Sequence, residues 1–238
     1  MLEGMFVAAA GGRLQSERID LIGLNLSRMT DTGYKADYAA VQAEAMGGLA
    51  MEAPSRLITS PDFADGAPIK TGRALDVALV GEGFLKATDG KRTYYTRSGN
   101  LRIDGDKQLA LPCGFKVLDD GGEPITVSPD AKIEFDSSGN VLQDRAVLAR
   151  LGLVKFADPK HELVRKDGHF VPVNDMVTSE RATCGVAGGM RESSNVSAIR
   201  AMVEMIESSR AFEACMRMIK YQDATLGKLI SRVGSIPG

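Results

Sequence analysis

The chain has 238 residues, 44% apolar and 25% charged, enough for one large or two modest globular domains with a buried core. Its 29 basic and 31 acidic residues leave a net charge of -2, too little to draw nucleic acid or an anionic membrane over long range. No run reaches the eighteen or so apolar residues of a membrane span, and the N-terminus lacks the basic cluster, apolar stretch and small-residue cleavage site of a secretory signal.

From Leu2 to Met29, Met5, Gly12, Ile19 and Leu26 stand seven apart, with Leu2, Ala9, Ile22 and Met29 on the neighbouring face, which predicts a helix with one apolar stripe. Small residues at Ala8 to Gly12 let a second helix approach closely, but Gly11 and Gly12 each cost roughly 1 kcal/mol in a helix interior, so this helix is marginal alone. Gly33, in Thr32-Gly33-Tyr34, is the expected left-handed terminator. Residues 35–73, with Gly47-Gly48, Pro54, Pro61 and Pro68, read as an extended connector containing a helix-compatible stretch at Ala39 to Met46.

Between Leu75 and Phe170 short apolar or alternating runs recur: LDVALV, FLKAT, TYYTR, LRI, LAL, KVL, ITV, KIEF and VLARLGLVKF. They are separated by turn signals such as Asp89-Gly90, Asp104-Gly105 and Ser138-Gly139-Asn140, a spacing that predicts hairpins of an all-β domain. His169 to Met190 reads as further strand and loop. At Ser193-Ser194-Asn195, all good N-cap residues, the period turns helical. Met205, Phe212, Ile219, Leu226 and Val233 stand seven apart, and Met202, Met216 and Ile230 form the second line of the seam, with Ser209 and Asp223 as its lapses. A helix from Asn195 to Val233 is about 57 Å long at roughly 1.5 Å per residue, more than a β-domain of this size can cover.

A striped helix at each end of the chain makes sense if the two pair. The expected fold is α+β: terminal helices in 1–34 and 191–238 paired as a coiled-coil-like inner domain, an extended connector over 35–73, and an all-β domain inserted at 74–190.

Three motifs resemble the rod and hook axial proteins of the bacterial flagellum. The first is Leu24-Asn25-Leu26-Ser27-Arg28 followed by Thr32-Gly33-Tyr34-Lys35, where Leu24 and Arg28 replace two asparagines of the family pattern NNLAN. The second and most specific is GRALDVALVGEGFLKATDGKRTYYTRSGNLRID from Gly72 to Asp104; the third is Glu192-Ser193-Ser194-Asn195-Val196 followed by AMVEMIESSRAFE. The resemblance implies a structural subunit, closest to the proximal-rod type with the distal-rod type as alternative. It implies terminal helices that form an inner tube, a β-domain outside them, export through the flagellar type III apparatus without a cleavable signal, and a place in the rod crossing the periplasm. Its partners would be other rod proteins and copies of itself. The expected assembly interface is Met5, Ile19, Asn25, Leu26, Gly33, Asn195, Val196, Met202, Met205, Phe212, Met216, Ile219, Leu226, Ile230 and Val233.

Candidates for chemistry are few. His161 and His169 lie eight apart in a charged, loop-like stretch without metal spacing and are expected as exposed polar residues. Gly81-Glu82-Gly83 lacks the third glycine and the following helix of a nucleotide-binding fingerprint and reads as a tight turn. Asp119-Asp120 precede Gly121-Gly122 at a hairpin tip, so they are solvated carboxylates rather than an acid-base pair. Asn195-Val196-Ser197 matches a glycosylation acceptor only formally, since its place at a helix start accounts for it. Of Tyr94-Tyr95, one is expected in the core and one outside. Cys113, Cys184 and Cys215, odd in number and without CxxC spacing, are expected as buried small apolar residues. No cofactor, metal site or catalysis is expected. The second function class is a non-catalytic β binding module on a dimerising helix, which would sediment as a defined dimer where a rod subunit stays monomeric. Because neither terminal helix can cover its stripe on the β-domain, residues 1–33 and 195–238 are expected to be largely disordered in a free monomer and helical in an assembly.

Overall fold

The computed structural model of the chain describes residues 2–42, 56–129, 131–174 and 176–233. It contains α1 (Leu2–Ser27), a short α2 (Pro159–Glu162) and α3 (Ala198–Val233), with the remaining elements all strands. The chain divides into two compact units: unit 1 is Met1–Ser27, Asp37–Pro61 and Ser197–Gly238, and unit 2 is Arg28–Ala36 and Asp62–Val196.

In unit 1, α1 packs against α3. The pairing is antiparallel, because Gly4 faces Gln222 near the end of α3 while Gly12 faces Cys215 and Phe212 further back along it. The glycines permit the approach: a Cβ on Gly4 would sit 2.6 Å from Nε2 of Gln222, and one on Gly11 would sit 3.3 Å from Sγ of Cys215. On α1 the run of buried or half-buried residues Met5, Ala8, Gly12, Gln15, Ile19, Ile22 and Leu26 alternates steps of three and four. On α3 the matching run is Ala201, Met205, Ser208, Phe212, Cys215, Ile219, Gln222 and Leu226.

The line Met205, Phe212, Ile219, Leu226 therefore faces α1, but its companion is Ala201, Ser208, Cys215, Gln222 rather than Met202 and Met216. Met202 is 55% exposed, whereas Ser208 is 3% exposed. Three of the four residues in that second line are small, and at Cys215 the approach of Gly11 and Gly12 leaves no room for a longer side chain. On α1 the same offset puts Ala8 inside and Ala9 outside. The side chains of Leu2, Ile230 and Val233 lie outside the described residues.

Unit 1 is completed by β1 (Asp37–Gln42) and β2 (Arg56–Pro61), paired antiparallel with Asp37 opposite Pro61. This hairpin stands where the sequence predicts an extended connector, and β1 includes the described part of the helix-compatible stretch; Ala43 to Met46, Gly47-Gly48 and Pro54 lie outside the described residues. Two termini also differ from expectation. Gly33 is left-handed at φ 65°, yet α1 already ends at Ser27, where a turn closed by Asp31 N–H on Arg28 C=O begins. α3 begins at Ala198 behind Ser197, whose Oγ accepts from Arg200 N–H at 3.5 Å, not behind Asn195.

Unit 2 is built on a sheet of short strands. The early strands are β3 (Pro68–Lys70), β4 (Val77–Val80), β5 (Phe84–Thr88), β6 (Thr93–Thr96), β7 (Arg102–Ile103), β8 (Leu109–Ala110) and β9 (Lys116–Val117). Then follow β10 (Ile133–Phe135), β11 (Asn140–Gln143), β12 (Ala146–Arg150), β13 (Leu153–Lys155), β14 (Leu163–Lys166), β15 (His169–Pro172), β16 (Glu180–Arg181), β17 (Gly185–Gly188) and β18 (Met190–Glu192). The largest sheet runs β14-β15-β6-β5-β9-β8-β7, with β13 on β5 and β16 on β13. The run ITV makes only an isolated bridge from Thr126 to Gln108, while Ile125 and Val127 are buried beside it.

Both faces of this sheet are covered. Strand alternation sends Leu85 and Ala87 into one cluster with Val77, Leu109, Val117 and Leu151, and sends Phe84 into another with Tyr95, Phe156 and Phe170. For that reason Tyr94 and Tyr95 are both buried, at 3% and 9% exposure, instead of one being outside. Tyr94 stacks on Phe115 at 4.4 Å, and Tyr95 meets Phe156 edge-on at 4.9 Å.

Candidate functional site

The three sequence motifs meet inside unit 2 in a buried ionic knot. Lys35, fully buried, donates from Nζ to Oε1 of Glu192 at 2.6 Å and to the Ala64 carbonyl at 2.7 Å. Glu192, also buried, accepts from Gly66 N–H at 2.9 Å through Oε1 and faces Arg97 Nη1 at 3.5 Å through Oε2. Arg97 in turn meets the exposed Asp65 at 3.3 Å. Burial holds the Lys35 ammonium below its ordinary pKa, with the Glu192 carboxylate pulling the other way.

Backbone geometry makes room for the knot. A Cβ on the left-handed Gly33 would lie 2.3 Å from the Arg97 carbonyl carbon, and one on Gly66 would lie 1.9 Å from the Ser193 oxygen, so at both places only glycine fits. Asn195 binds the same segments. Its Oδ1 accepts from Ala36 N–H at 2.7 Å, and its Nδ2 donates to the carbonyls of Asp62 at 2.9 Å and Ala64 at 3.2 Å. Asn195 thus joins 33–36, 62–67 and 192–196, the stretches by which the chain passes into and out of unit 2. Arg165 adds a further tie, donating to the Lys35 carbonyl while its guanidinium lies 4.6 Å from the Tyr34 ring centre and 4.9 Å from that of Phe170.

In unit 1 the first motif has a similar device. Asn25, 8% exposed, donates from Nδ2 to the Asp37 carbonyl at 2.8 Å and accepts from Asp37 N–H at 3.0 Å, so α1 is fastened to the start of β1.

Of the residues expected at the interface, Met5, Ile19, Leu26, Met205, Phe212, Ile219 and Leu226 are partly sheltered in the α1–α3 seam. Gly33 and Asn195 belong to the knot, with half-buried Val196 beside them. Met202 and Met216 face outward, where Ile199, Val203 and Ile206 extend an uncovered apolar face along the first half of α3. Lys35, Glu192 and Arg97 were missed as a group because a charged residue in a single sequence reads as surface.

The candidates for chemistry fall in separate places. His161 is exposed and 2.6 Å from Asp158, and Asp120 pairs with Arg181. Among the described residues no His, Cys, Asp or Glu cluster could hold a metal ion. His169 departs from expectation: it is half-buried, and burial lowers its pKa. Cys113, expected inside, is exposed, whereas Cys184 and Cys215 are intermediate.

The described residues thus combine paired terminal helices, an exposed apolar face on α3 and a β unit holding a buried ionic knot, the features of an assembly subunit or binding module rather than of a catalytic site. Residues 187–232 match the flagellar basal body rod FlgEFG protein C-terminal family, and residues 78–143 match the flagellar hook protein FlgE/F/G D1 domain. The chain is 30% identical to flagellar basal-body rod protein FlgF of Escherichia coli strain K12, over 86% of this chain and 87% of the relative. It is 27% identical to the FlgF of Caulobacter vibrioides over 99% of this chain and all of the relative, and 26% identical to the FlgG of Borreliella burgdorferi over 95% and 97%. The chain belongs to the flagellar basal-body rod protein family, with FlgF the better supported type and FlgG the alternative. It is a structural subunit of the flagellar basal body and not an enzyme.

Proposed function

We propose that the chain occupies the proximal rod and polymerises helically through α1 and α3, with α1 and α3 acting as a coiled-coil-like inner domain and the β-rich stretch 74–190 as an inserted domain. The observation that carries this reading is the outward face of α3, where Ile199 is 80% exposed and Met202, Val203 and Ile206 are each at least half exposed. A monomer leaves such a face in water only at a cost, which a neighbouring subunit removes. The three-and-four spacing of the sheltered residues on both helices supports the coiled-coil part.

Heterologous contacts that do not close produce a helical filament, the symmetry a rod requires. Its neighbours are other rod proteins and further copies of the chain, and the interface takes in Met202 and Met216 outside the seam with Met205, Phe212 and Ile219 within it. Family membership supports export through the flagellar type III apparatus and a place in the rod crossing the periplasm. Among the described residues no helix is long and apolar enough to cross a membrane. Electron microscopy of basal bodies from a deletion strain tests the position: a rod truncated near the inner membrane is expected, and a rod completed to its distal segment would exclude the proximal assignment.

A further inference from the structure

We infer that Cys113 is a modifiable nucleophile, paired with His169 at the mouth of a cationic cavity in unit 2, and that it reacts with small disulfides bearing carboxylates. Sγ of Cys113 lies 3.3 Å from Nε2 of His169. The thiol is presented on a tight turn between β8 and β9, closed by Gly114 N–H on the Leu111 carbonyl at 2.9 Å, and it is exposed. His169 follows the turn made by Asp167 and Gly168, both at positive φ, and its ring is held 5.3 Å from the Phe115 ring centre and 6.4 Å from that of Tyr94.

His169 Nδ1 is buried and has no hydrogen-bond partner among the described residues, so the sulfur contact alone selects the tautomer. With the proton on Nδ1, Nε2 is free to accept from the thiol. Burial keeps the imidazole neutral near pH 7, the form that accepts a proton; Asp167 opposes this, while Arg28 and Arg165 reinforce it.

The cavity beside the pair has a volume of about 360 Å³ and is lined by Arg28, Arg165, Arg191, Asp31 and Asp167 among others. Arg28 is turned toward Asp31 at 3.5 Å, whereas the third lining arginine, Arg191, is in no ion pair among the described residues. The lining therefore keeps an excess of positive charge, which selects an anionic reagent. In the reaction the Sγ proton passes to Nε2 and the thiolate attacks one sulfur of the disulfide. A new S–S bond forms at Cys113, the original S–S bond breaks, and the departing half leaves as a thiolate that takes the proton back from Nε2. Cys113 is oxidised to a mixed disulfide and the other half of the reagent is reduced.

The test uses the full chain with two reagents, dithiobis(nitrobenzoate), which carries carboxylates, and neutral dithiodipyridine, with peptide mapping to assign the modified thiol. Cys113 is expected to react first, about tenfold faster than a thiol of the unfolded chain at pH 7. His169→Gln should slow both reagents about tenfold, and Arg191→Gln should slow the anionic one alone. A rate at Cys113 no greater than in the unfolded chain would overturn the pairing without recourse to any variant. Equal sensitivity of both reagents to Arg191→Gln would overturn the anionic preference.

Discussion

The two units bury their apolar side chains to very different degrees. Unit 2 encloses two clusters, one on each side of its main sheet, with Leu101, Leu109, Leu111, Val117, Val141 and Leu151 all fully buried. Among the described residues unit 1 buries only Ala8, Ile22 and Ala201 of its apolar side chains, while Phe6, Val41, Ile199, Ile206 and Tyr221 are all more than half exposed. At roughly 25 cal/mol per Å² of apolar surface removed from water, a unit that shelters so little has little to set against the entropy of ordering two long helices. On that ground unit 2 is expected to be stable by itself and unit 1 to need the contacts of an assembly.

The widest consequence is in hydrogen exchange on the purified free chain. Amides of the unit 2 strands should exchange only on global unfolding, at about 5–15 kcal/mol, whereas those of α1 and α3 should open at close to zero. Both helices should gain protection on assembly. Strong protection across residues 200–230 without partners would break the comparison, because it would mean that the α1–α3 seam suffices.

Phe212→Asp is the next largest change. Phe212 lies beside Gly12 in the seam, 3.9 Å from where a Cβ on that glycine would stand. Losing the ring and placing a carboxylate there should cost on the order of 5 kcal/mol in the assembled state. Rods should fail to form while unit 2 keeps its unfolding transition. Normal motility in a strain carrying the substitution would remove the seam from the assembly.

What was legible in the sequence divides along the same line. The strands of unit 2 follow from alternation and turn residues, and FLKAT forms β5 over the same five residues. The Met205, Phe212, Ile219, Leu226 stripe was equally plain. Its companion line was not, because hydrophobicity points to Met202 and Met216 while closeness of packing selects Ala201, Ser208 and Cys215 one residue earlier. The knot was hidden for another reason: Lys35 and Glu192 are 157 residues apart, and nothing local marks either charge as buried. Asn195 reads as an N-cap because the same amide that caps a helix can tie together three chain segments. Cys113 reads as a core thiol because its turn shows no sign of the histidine that approaches it.

Glu192→Gln probes the stable unit. The amide keeps an acceptor for Gly66 N–H and Lys35 but removes the charge that Lys35 and Arg97 share, leaving a buried ammonium without its counter-ion. Breaking a buried pair in this way costs about 3–5 kcal/mol. Chemical denaturation of the free chain should show that loss in full. A loss below about 1 kcal/mol would mean that the knot behaves as a solvated surface pair.

Asn25→Ala is the matching change in the open unit, and its expected effect is the smallest. Asn25 is as well buried as many core residues and makes two bonds to the Asp37 backbone, one in each direction. Judged on contacts alone, its removal should cost about 1–3 kcal/mol, since the Asp37 N–H and C=O would be left without these partners. That cost arises only where α1 and β1 are ordered together. In the free chain, with unit 1 loosely held, denaturation should be unchanged to within about 0.5 kcal/mol, because the transition reports unit 2. In the assembled rod the same substitution should weaken the subunit by the full amount and narrow the swimming halo without abolishing motility. A free-chain loss of about 2 kcal/mol would show that unit 1 is ordered before it meets a partner, and the difference drawn between the units would then be one of exposure alone and not of stability.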